Sequence, residues 1–149
     1  MLFWYIRFVL EWTIWLIFAD KKRWRELFPV GFIAGLYGAT TDTITQHYPL
    51  WKYDDNISPI PHLVNTWGIY IVVVYLFLQW LPSKRTFGRM FVYWFLWTSA
   101  TISIEWFHVH TGHMKYHLWW NIHWSYLADW VLFLTFYLYY KIFQFERMR

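Results

Sequence analysis

The chain contains no cysteine and few charged residues, and both shortages restrict the kind of protein it forms. Without cysteine it has no disulfide bond, thiolate metal site or redox-active thiol pair. Only 15% of the residues are charged, whereas 58% are hydrophobic and 27% are aromatic. A soluble domain of 149 residues has too small a core to bury 14 Trp, 12 Tyr and 14 Phe side chains. We therefore expect a large part of this apolar surface to face lipid.

Proline is also scarce, and none of the five prolines falls well inside a long apolar run. Five such runs are each close to the ~20 residues that a helix needs to cross a bilayer. Lipid offers no hydrogen-bond partner to the backbone, so each run is predicted to be a helix. The predicted helices are residues 2–19, 29–48, 62–81, 87–108 and 119–141. We expect one all-α domain over residues 1–149, a polytopic membrane bundle of about five transmembrane helices.

Basic residues collect in alternate connections between these runs. Segments 20–26 and 83–89 and the C-terminal tail are rich in Lys and Arg, whereas 49–62 and 109–118 have one Lys each. Loops rich in Lys and Arg stay on the cytoplasmic side of a membrane. The pattern therefore predicts a multi-pass protein of a bacterial cell membrane, with its N-terminus outside and its C-terminus in the cytoplasm.

Small and polar residues form single stripes along the predicted helices. A helix repeats every 3.6 residues, so spacings of three and four place residues on one face. Such stripes are typical of the interior of a membrane bundle, where close packing and hydrogen bonds join the helices. The stripe of the second helix is Gly31, Gly35, Gly38, Asp42 and Thr45, and that of the third is Asn65, Gly68, Val72, Tyr75 and Gln79.

Charged residues also lie inside the runs, where charge is costly and usually functional. At 1.5 Å per residue, most of them fall at a similar depth below the outer surface. Three carboxylates close to one cation favour cation binding or proton handling. We expect an acidic pocket in the outer leaflet that binds a small polar or cationic ligand or handles protons. Its predicted residues are Arg7, Glu11, Asp42, Glu105 and Asp129.

The stretch EWFHVHTGHMKYH, residues 105–117, holds four of the seven histidines and raises the alternative of a metal centre. A zinc site needs three or four converging ligands, and a bis-His haem needs two facing histidines. The candidate ligands are His47, Glu105, His108 and His123. The chain has no His-Glu-x-x-His motif and a single HxxxH, which excludes a membrane di-iron desaturase. Zinc and haem belong to this alternative alone, and the leading interpretation predicts no cofactor.

The remaining histidines of this stretch, His110, His113 and His117, are followed by Trp119 and Trp120. Trp, Tyr and His side chains concentrate where a membrane meets water, since each has an apolar body and a polar tip. We therefore interpret this segment as an aromatic belt in the outer loop.

Three hypotheses of function remain open on the sequence. The leading one is a non-enzymatic membrane protein with the acidic pocket described above. The second is a metal- or haem-dependent membrane enzyme that uses the outer histidines. The third is a structural subunit of a larger membrane complex, in which the buried acids join helices. The expected partners are membrane lipids and either further copies of the chain or subunits of a membrane complex, and none of the hypotheses involves nucleic acid.

Several segments together resemble a family of small, uncharacterised integral membrane proteins of endospore-forming Gram-positive bacteria. They are RELFPV, YPLWKY, YLFLQWLP, EWFHVHTGHMKYH with LWWN, and SYLADW, and they span nearly the whole chain. The resemblance implies a multi-helix membrane protein. It implies no particular activity, cofactor or catalytic residue.

Overall fold

The chain folds into five long helices joined by short connections. The computed structural model describes residues 2–54 and 59–149. The helices are α1 (Leu2–Phe18), α2 (Trp24–His47), α3 (Ile60–Gln79), α4 (Phe87–His110) and α5 (Ile122–Ile142). The predicted all-α class and the predicted number of long helices are therefore confirmed for the described residues.

The largest difference from the predicted boundaries is at the start of α2. A 3₁₀ turn, Lys21–Arg23, leads directly into the helix, and the Asp20 side chain accepts a hydrogen bond from the backbone N–H of Lys22. The helix then begins at Trp24, five residues before the predicted start, and Pro29 lies inside it. Proline in the second turn removes only one backbone hydrogen bond, so the helix continues through it.

The connections between the helices gather at two ends of the bundle. Arg23 donates a hydrogen bond to the carbonyl oxygen of Gln79 at 3.0 Å, and Arg85 pairs with Glu146 at 2.5 Å. These contacts unite the three segments rich in Lys and Arg, and we call this end the basic end. All but three of the 13 Lys and Arg residues belong to it.

The opposite end carries a two-stranded β-ribbon that was not predicted. Strand β1 (Trp51–Tyr53) pairs antiparallel with β2 (Met114–Tyr116), with Lys52 opposite Lys115. The connection 109–118, predicted as an outer loop, is therefore partly strand. We call this end the ribbon end. Residues 55–58 of the segment 49–62 lie outside the described residues.

Helices α2 and α3 approach closely along the glycine stripe. All five stripe residues of α2 are buried, as predicted. A Cβ atom added to Gly35 would lie 2.9 Å from the carbonyl oxygen of Thr66, and one added to Gly31 would lie 3.2 Å from Ile71. Glycine is therefore needed at Gly35 for the backbones to approach this closely.

The apolar core fills the half of the bundle nearest the basic end. Leu27 of α2, Phe77 of α3, Trp94 of α4 and Tyr140 of α5 are all buried there. Tyr93 also donates a hydrogen bond to the carbonyl oxygen of Phe77 at 2.6 Å, which joins α3 to α4. The half nearest the ribbon end is less densely filled and contains the cavity described below.

By length and hydropathy, one described helix, Ile60–Gln79, is suited to cross a membrane by itself. The segments Leu2–Phe18 and Lys21–His47 meet the same criterion only as a pair, and the chain bends by 101° between them. Helices α4 and α5 carry many Trp and Tyr residues, whose polar N–H and O–H groups lower the hydropathy of an otherwise apolar surface.

Candidate functional site

A cavity of about 230 Å³ lies between the helices in the half nearest the ribbon end. It is slightly smaller than the ~300–1,000 Å³ of drug-sized ligand sites. All five helices and both strands contribute to its wall. The polar residues of the wall are Arg7, Thr41, Asn65, Thr101, Glu105, His108, Ser125 and Asp129, and its aromatic residues are Trp51, Tyr53, Tyr70, Trp120, Phe133 and Phe136.

Glu105 of α4 projects into this cavity beneath the ribbon. The hydroxyl group of Tyr116 donates a hydrogen bond to its Oε1 atom at 2.5 Å, and the Ser125 hydroxyl lies close to the same carboxylate. Ser125 in turn accepts a 2.8 Å hydrogen bond from the indole of Trp120. Burial raises the pKa of Tyr116, and its hydrogen bond to Glu105 raises it further, so Tyr116 stays protonated and donates.

Asp129 of α5 is the second carboxylate of the cavity wall. The hydroxyl group of Thr101 donates a hydrogen bond to Asp129 at 2.7 Å. Asp129 is also within electrostatic range of Glu105. Among the described residues, no basic side chain lies within ion-pair distance of either carboxylate. The two acids therefore share a cavity without a direct ion pair to any described basic side chain.

Tyr70 of α3 links this acidic pair to the third predicted acid. Its phenol is within electrostatic range of Asp42, Glu105 and Asp129, and the Thr41 hydroxyl lies nearby. The ring lies against Gly38, where an added Cβ would lie 2.5 Å from the aromatic carbons. The glycine stripe therefore leaves the space that this ring occupies.

Asp42 is buried beside the cavity and does not line it. Its Oδ2 atom lies 3.1 Å from Nδ1 of His62, a residue that the sequence did not single out. The two atoms are within ion-pair distance, but neither makes a hydrogen bond of good geometry to a described residue. The contact is therefore electrostatic, and it ties α2 to the start of α3.

Arg7 and Glu11 form an ion pair on α1, one turn apart. The Nε atom of Arg7 donates to Oε1 of Glu11 at 2.6 Å. The other oxygen of Glu11 is buried and has no hydrogen-bond partner among the described residues. It faces Gly68, where an added Cβ would collide with it. Arg7 lines the cavity, whereas Glu11 lies behind it.

Gly68 belongs to a π-helical turn, Asn65–Ile69, inside α3. A π-helical turn inserts one extra residue into a helix and is frequent at functional sites. In this chain it lies where α3 passes both the Arg7–Glu11 pair and the cavity wall. The sequence offers no clear signal for such a turn.

The four candidate metal ligands do not come together. His47 and His123 are exposed at the ends of α2 and α5, whereas His108 is buried in the cavity wall. Among residues 2–54 and 59–149, no three His, Asp or Glu side chains are placed to hold a metal ion. Of the four, only Glu105 and His108 line the cavity.

His108 makes one polar contact and leaves one ring nitrogen unpaired. Its Nδ1 atom lies 2.5 Å from the carbonyl oxygen of Ile104, so Nδ1 carries the proton. Its Nε2 atom is buried without a partner among the described residues and is therefore an available hydrogen-bond acceptor.

The other histidines near the ribbon pack on aromatic rings. His113 stacks on Phe3 with a centroid distance of 3.7 Å and lies 2.7 Å from the Asp54 carboxylate. His110 stacks on Trp106 at 4.9 Å. The His113 stack holds the ribbon end against α1, whereas the His110 stack lies within α4.

Sequence reasoning missed Tyr70, Tyr116 and the ribbon that positions Tyr116. One signal was present, because Trp51-Lys52-Tyr53 and Met114-Lys115-Tyr116 both alternate an apolar or aromatic residue with lysine. Alternation with period two is typical of strands with one buried face. Both lysines are exposed, and Trp51, Tyr53 and Met114 line the cavity.

Comparisons of the chain with models of protein families, with curated proteins and with solved structures find no match. The proposals below therefore depend on the residues and geometry of this chain.

Proposed function

We propose that the chain is a multi-pass membrane protein that binds a small organic cation in the acidic cavity. The support for the membrane location is the outer surface of the bundle. Large apolar side chains are exposed on every helix, among them Val9, Leu36, Trp67, Leu96 and Val131, each more than half exposed. Contiguous apolar surface on all sides favours lipid as the surroundings.

The distribution of charge supports an orientation with the basic end in the cytoplasm. Lys and Arg concentrate at that end, as the positive-inside rule expects of a cytoplasmic face. The N-terminus and the ribbon are then outside. In this orientation the cavity lies in the outer half of the membrane and its ribbon faces the exterior.

The observation that carries the ligand proposal is the pair Glu105 and Asp129 in one cavity. Their hydrogen-bond donors are neutral hydroxyl groups, and neither carboxylate forms an ion pair with a described residue. Tyr70, Trp51 and Trp120 add aromatic surface. Carboxylates combined with aromatic faces are well suited to bind an ammonium group.

Isothermal titration calorimetry of the detergent-purified protein with ethanolamine, choline and putrescine tests this proposal. We expect at least one of these cations to bind. The double variant Glu105→Gln/Asp129→Asn should weaken that binding at least tenfold. Glu146→Gln, which neutralises an acid at the basic end, is the matched control and should bind like the wild type. Absence of binding by all three cations, or equal binding by the double variant, contradicts the proposal.

Proton handling is the second candidate, and Tyr70 favours it. Tyr70, Glu105 and Asp129 line the same cavity, and hydroxyl and carboxyl groups that share a cavity are the groups that relay protons. Liposomes containing the protein and a pH-sensitive dye measure this directly. Proton flux that falls in Tyr70→Phe would support the second candidate, whereas flux equal to that of empty liposomes would contradict it.

A further inference from the structure

The cavity wall contains a fixed guanidinium group as well as the two carboxylates. Arg7 uses only its Nε–H to bind Glu11. Its guanidinium carbon also lies 5.4 Å from the ring centroid of Trp4. These contacts fix the side chain. Its two terminal NH₂ groups donate to no described residue, so they are available for a planar pair of hydrogen bonds to an oxyanion.

Arg7 does not neutralise the acids of the cavity. Its ion pair is with Glu11, behind the wall, and neither the Glu105 nor the Asp129 carboxylate lies within 4 Å of it. The cavity therefore holds a positive group from α1 and two negative groups from α4 and α5 at separate places on one wall. A cation alone would leave the guanidinium without a partner for its terminal nitrogens.

His108 supplies a third unsatisfied group in the same wall. The residue is 5% exposed, and its Nε2 atom has no hydrogen-bond partner among the described residues. Since Nδ1 donates to the carbonyl oxygen of Ile104, Nε2 accepts. A buried acceptor without a hydrogen-bond partner costs folding free energy, so this atom favours a ligand that donates an N–H or O–H.

The geometry points to a small zwitterion as the ligand, a molecule that joins an ammonium group to a phosphate or carboxylate. The ammonium binds Glu105 and Asp129, and the oxyanion accepts hydrogen bonds from the terminal nitrogens of Arg7. His108 accepts a hydrogen bond from a donor on the same ligand. This inference rests on the proposed cation site and specifies the class of cation. Such a group exists free in solution and also as the head group of phosphatidylethanolamine.

A matched pair of probes separates the zwitterion from a simple cation. Calorimetry with 2-aminoethyl phosphate and with ethanolamine compares ligands that differ in the phosphate alone. We expect the wild type to bind 2-aminoethyl phosphate about tenfold more tightly, since the phosphate adds a charged pair with Arg7. In nanodiscs, phosphatidylethanolamine is compared with phosphatidylglycerol, which keeps the phosphate but lacks the ammonium, and tighter binding of phosphatidylethanolamine identifies a lipid source.

The Arg7→Gln/Glu11→Gln double variant removes the guanidinium without leaving Glu11 as an unpaired buried charge. It should abolish the preference for the zwitterion while ethanolamine binds as before. Arg7→Lys keeps the charge but loses the planar pair of donors, and should retain only part of the preference. Thermal unfolding of each variant checks that it is folded.

The outcomes distinguish this inference from the proposal on which it rests. If ethanolamine binds, but neither zwitterion binds more tightly than the compound with which it is compared, the zwitterion inference is overturned and the cation site stands. If the preference survives in the Arg7→Gln/Glu11→Gln variant, the assigned role of Arg7 is overturned. If none of the probes binds, both ideas are overturned. A preference for 2-aminoethyl phosphate that is lost in the Arg7→Gln/Glu11→Gln variant supports the inference for a free ligand. Tighter binding of phosphatidylethanolamine than of phosphatidylglycerol, with an affinity that falls in the same variant, supports it for a lipid.

Discussion

The hydroxyl group of Tyr116 lies 2.5 Å from Oε1 of Glu105 and joins the β-ribbon to the acidic wall of the cavity. Tyr116 is on the last position of β2, and Glu105 is on α4, one turn before the ribbon connection begins. The ribbon therefore covers the cavity and also supplies a hydrogen bond to the carboxylate within it.

Replacing Tyr116 with Phe should destabilise the protein by about 1–3 kcal/mol, the usual cost of removing a hydrogen bond to a charged group. Chemical unfolding of the detergent-purified protein measures this change. Tyr5→Phe is the matched control, because the Tyr5 side chain is half exposed and makes no hydrogen bond to a described residue. Equal stability of the two variants would show that the Tyr116–Glu105 bond contributes nothing.

A second buried carboxylate joins three elements at the basic end. Glu26 is 1% exposed, binds Arg23 through both oxygens and accepts a hydrogen bond from Tyr140 of α5. Removing the cation would leave a buried charge unpaired, so Arg23→Met should cost about 3 kcal/mol. The control Arg25→Met, at an exposed arginine two residues along, should change stability by less than about 0.5 kcal/mol. Similar unfolding midpoints for Arg23→Met and Arg25→Met would contradict the prediction.

The sequence was sufficient to predict the helices and their inner faces. Long apolar runs determine where the helices lie, and Gly35, Gly38 and Asp42 share the one stripe of α2 that is buried against the rest of the bundle. The same reasoning predicted that Arg7, Glu105 and Asp129 come near one another, and all three line the cavity. The face of a helix that a residue occupies and its position along that helix follow from the local sequence alone. Both can therefore be predicted without knowledge of the tertiary contacts.

The sequence was insufficient for the pairings between side chains. Arg7 could pair with any of several acids, and the geometry of α1 gives it Glu11. Asp42 meets His62 because the π-helical turn and the α2–α3 contact set that register. The ribbon was missed since three-residue strands carry little periodic signal. Candidate ligands His47 and His123 share a depth but face outward, which spacing alone does not reveal.

Gly35 should tolerate no side chain, whereas Gly88 should. A Cβ atom at Gly35 would lie 2.9 Å from the Thr66 carbonyl oxygen, a backbone atom that cannot move aside alone, whereas nothing lies within 4 Å of the corresponding position at Gly88. We expect Gly35→Ala to cost about 1–3 kcal/mol through overpacking. Gly88→Ala should be neutral or slightly stabilising, because alanine favours a helix. Unfolding curves that rank the two variants in the reverse order would contradict the close α2–α3 contact.

Asp54 should make the ribbon end sensitive to acid. Burial acts to raise the pKa of Asp54, but hydrogen bonds from His113 and Trp4 outweigh it, and the pKa is lowered in the folded state. A lowered folded-state pKa stabilises the protein above the unfolded pKa of ~3.9, and this contribution is lost as pH falls through the folded value. The stability difference between wild type and Asp54→Asn should therefore shrink between pH 6 and pH 3. Thermal unfolding across this range measures it, and a difference that does not vary with pH would contradict the assignment.

The absence of native cysteine makes the proposed membrane orientation directly measurable. Lys115→Cys places a thiol on the exposed face of the ribbon, and Lys84→Cys places one at the exposed basic end. In the proposed orientation, a membrane-impermeant maleimide should label Lys115→Cys on intact cells, and Lys84→Cys only after permeabilisation. The wild type has no thiol and measures background labelling. Labelling of Lys84→Cys alone on intact cells would reverse the orientation, and equal labelling of both would contradict a bundle whose two ends lie on opposite sides of the membrane.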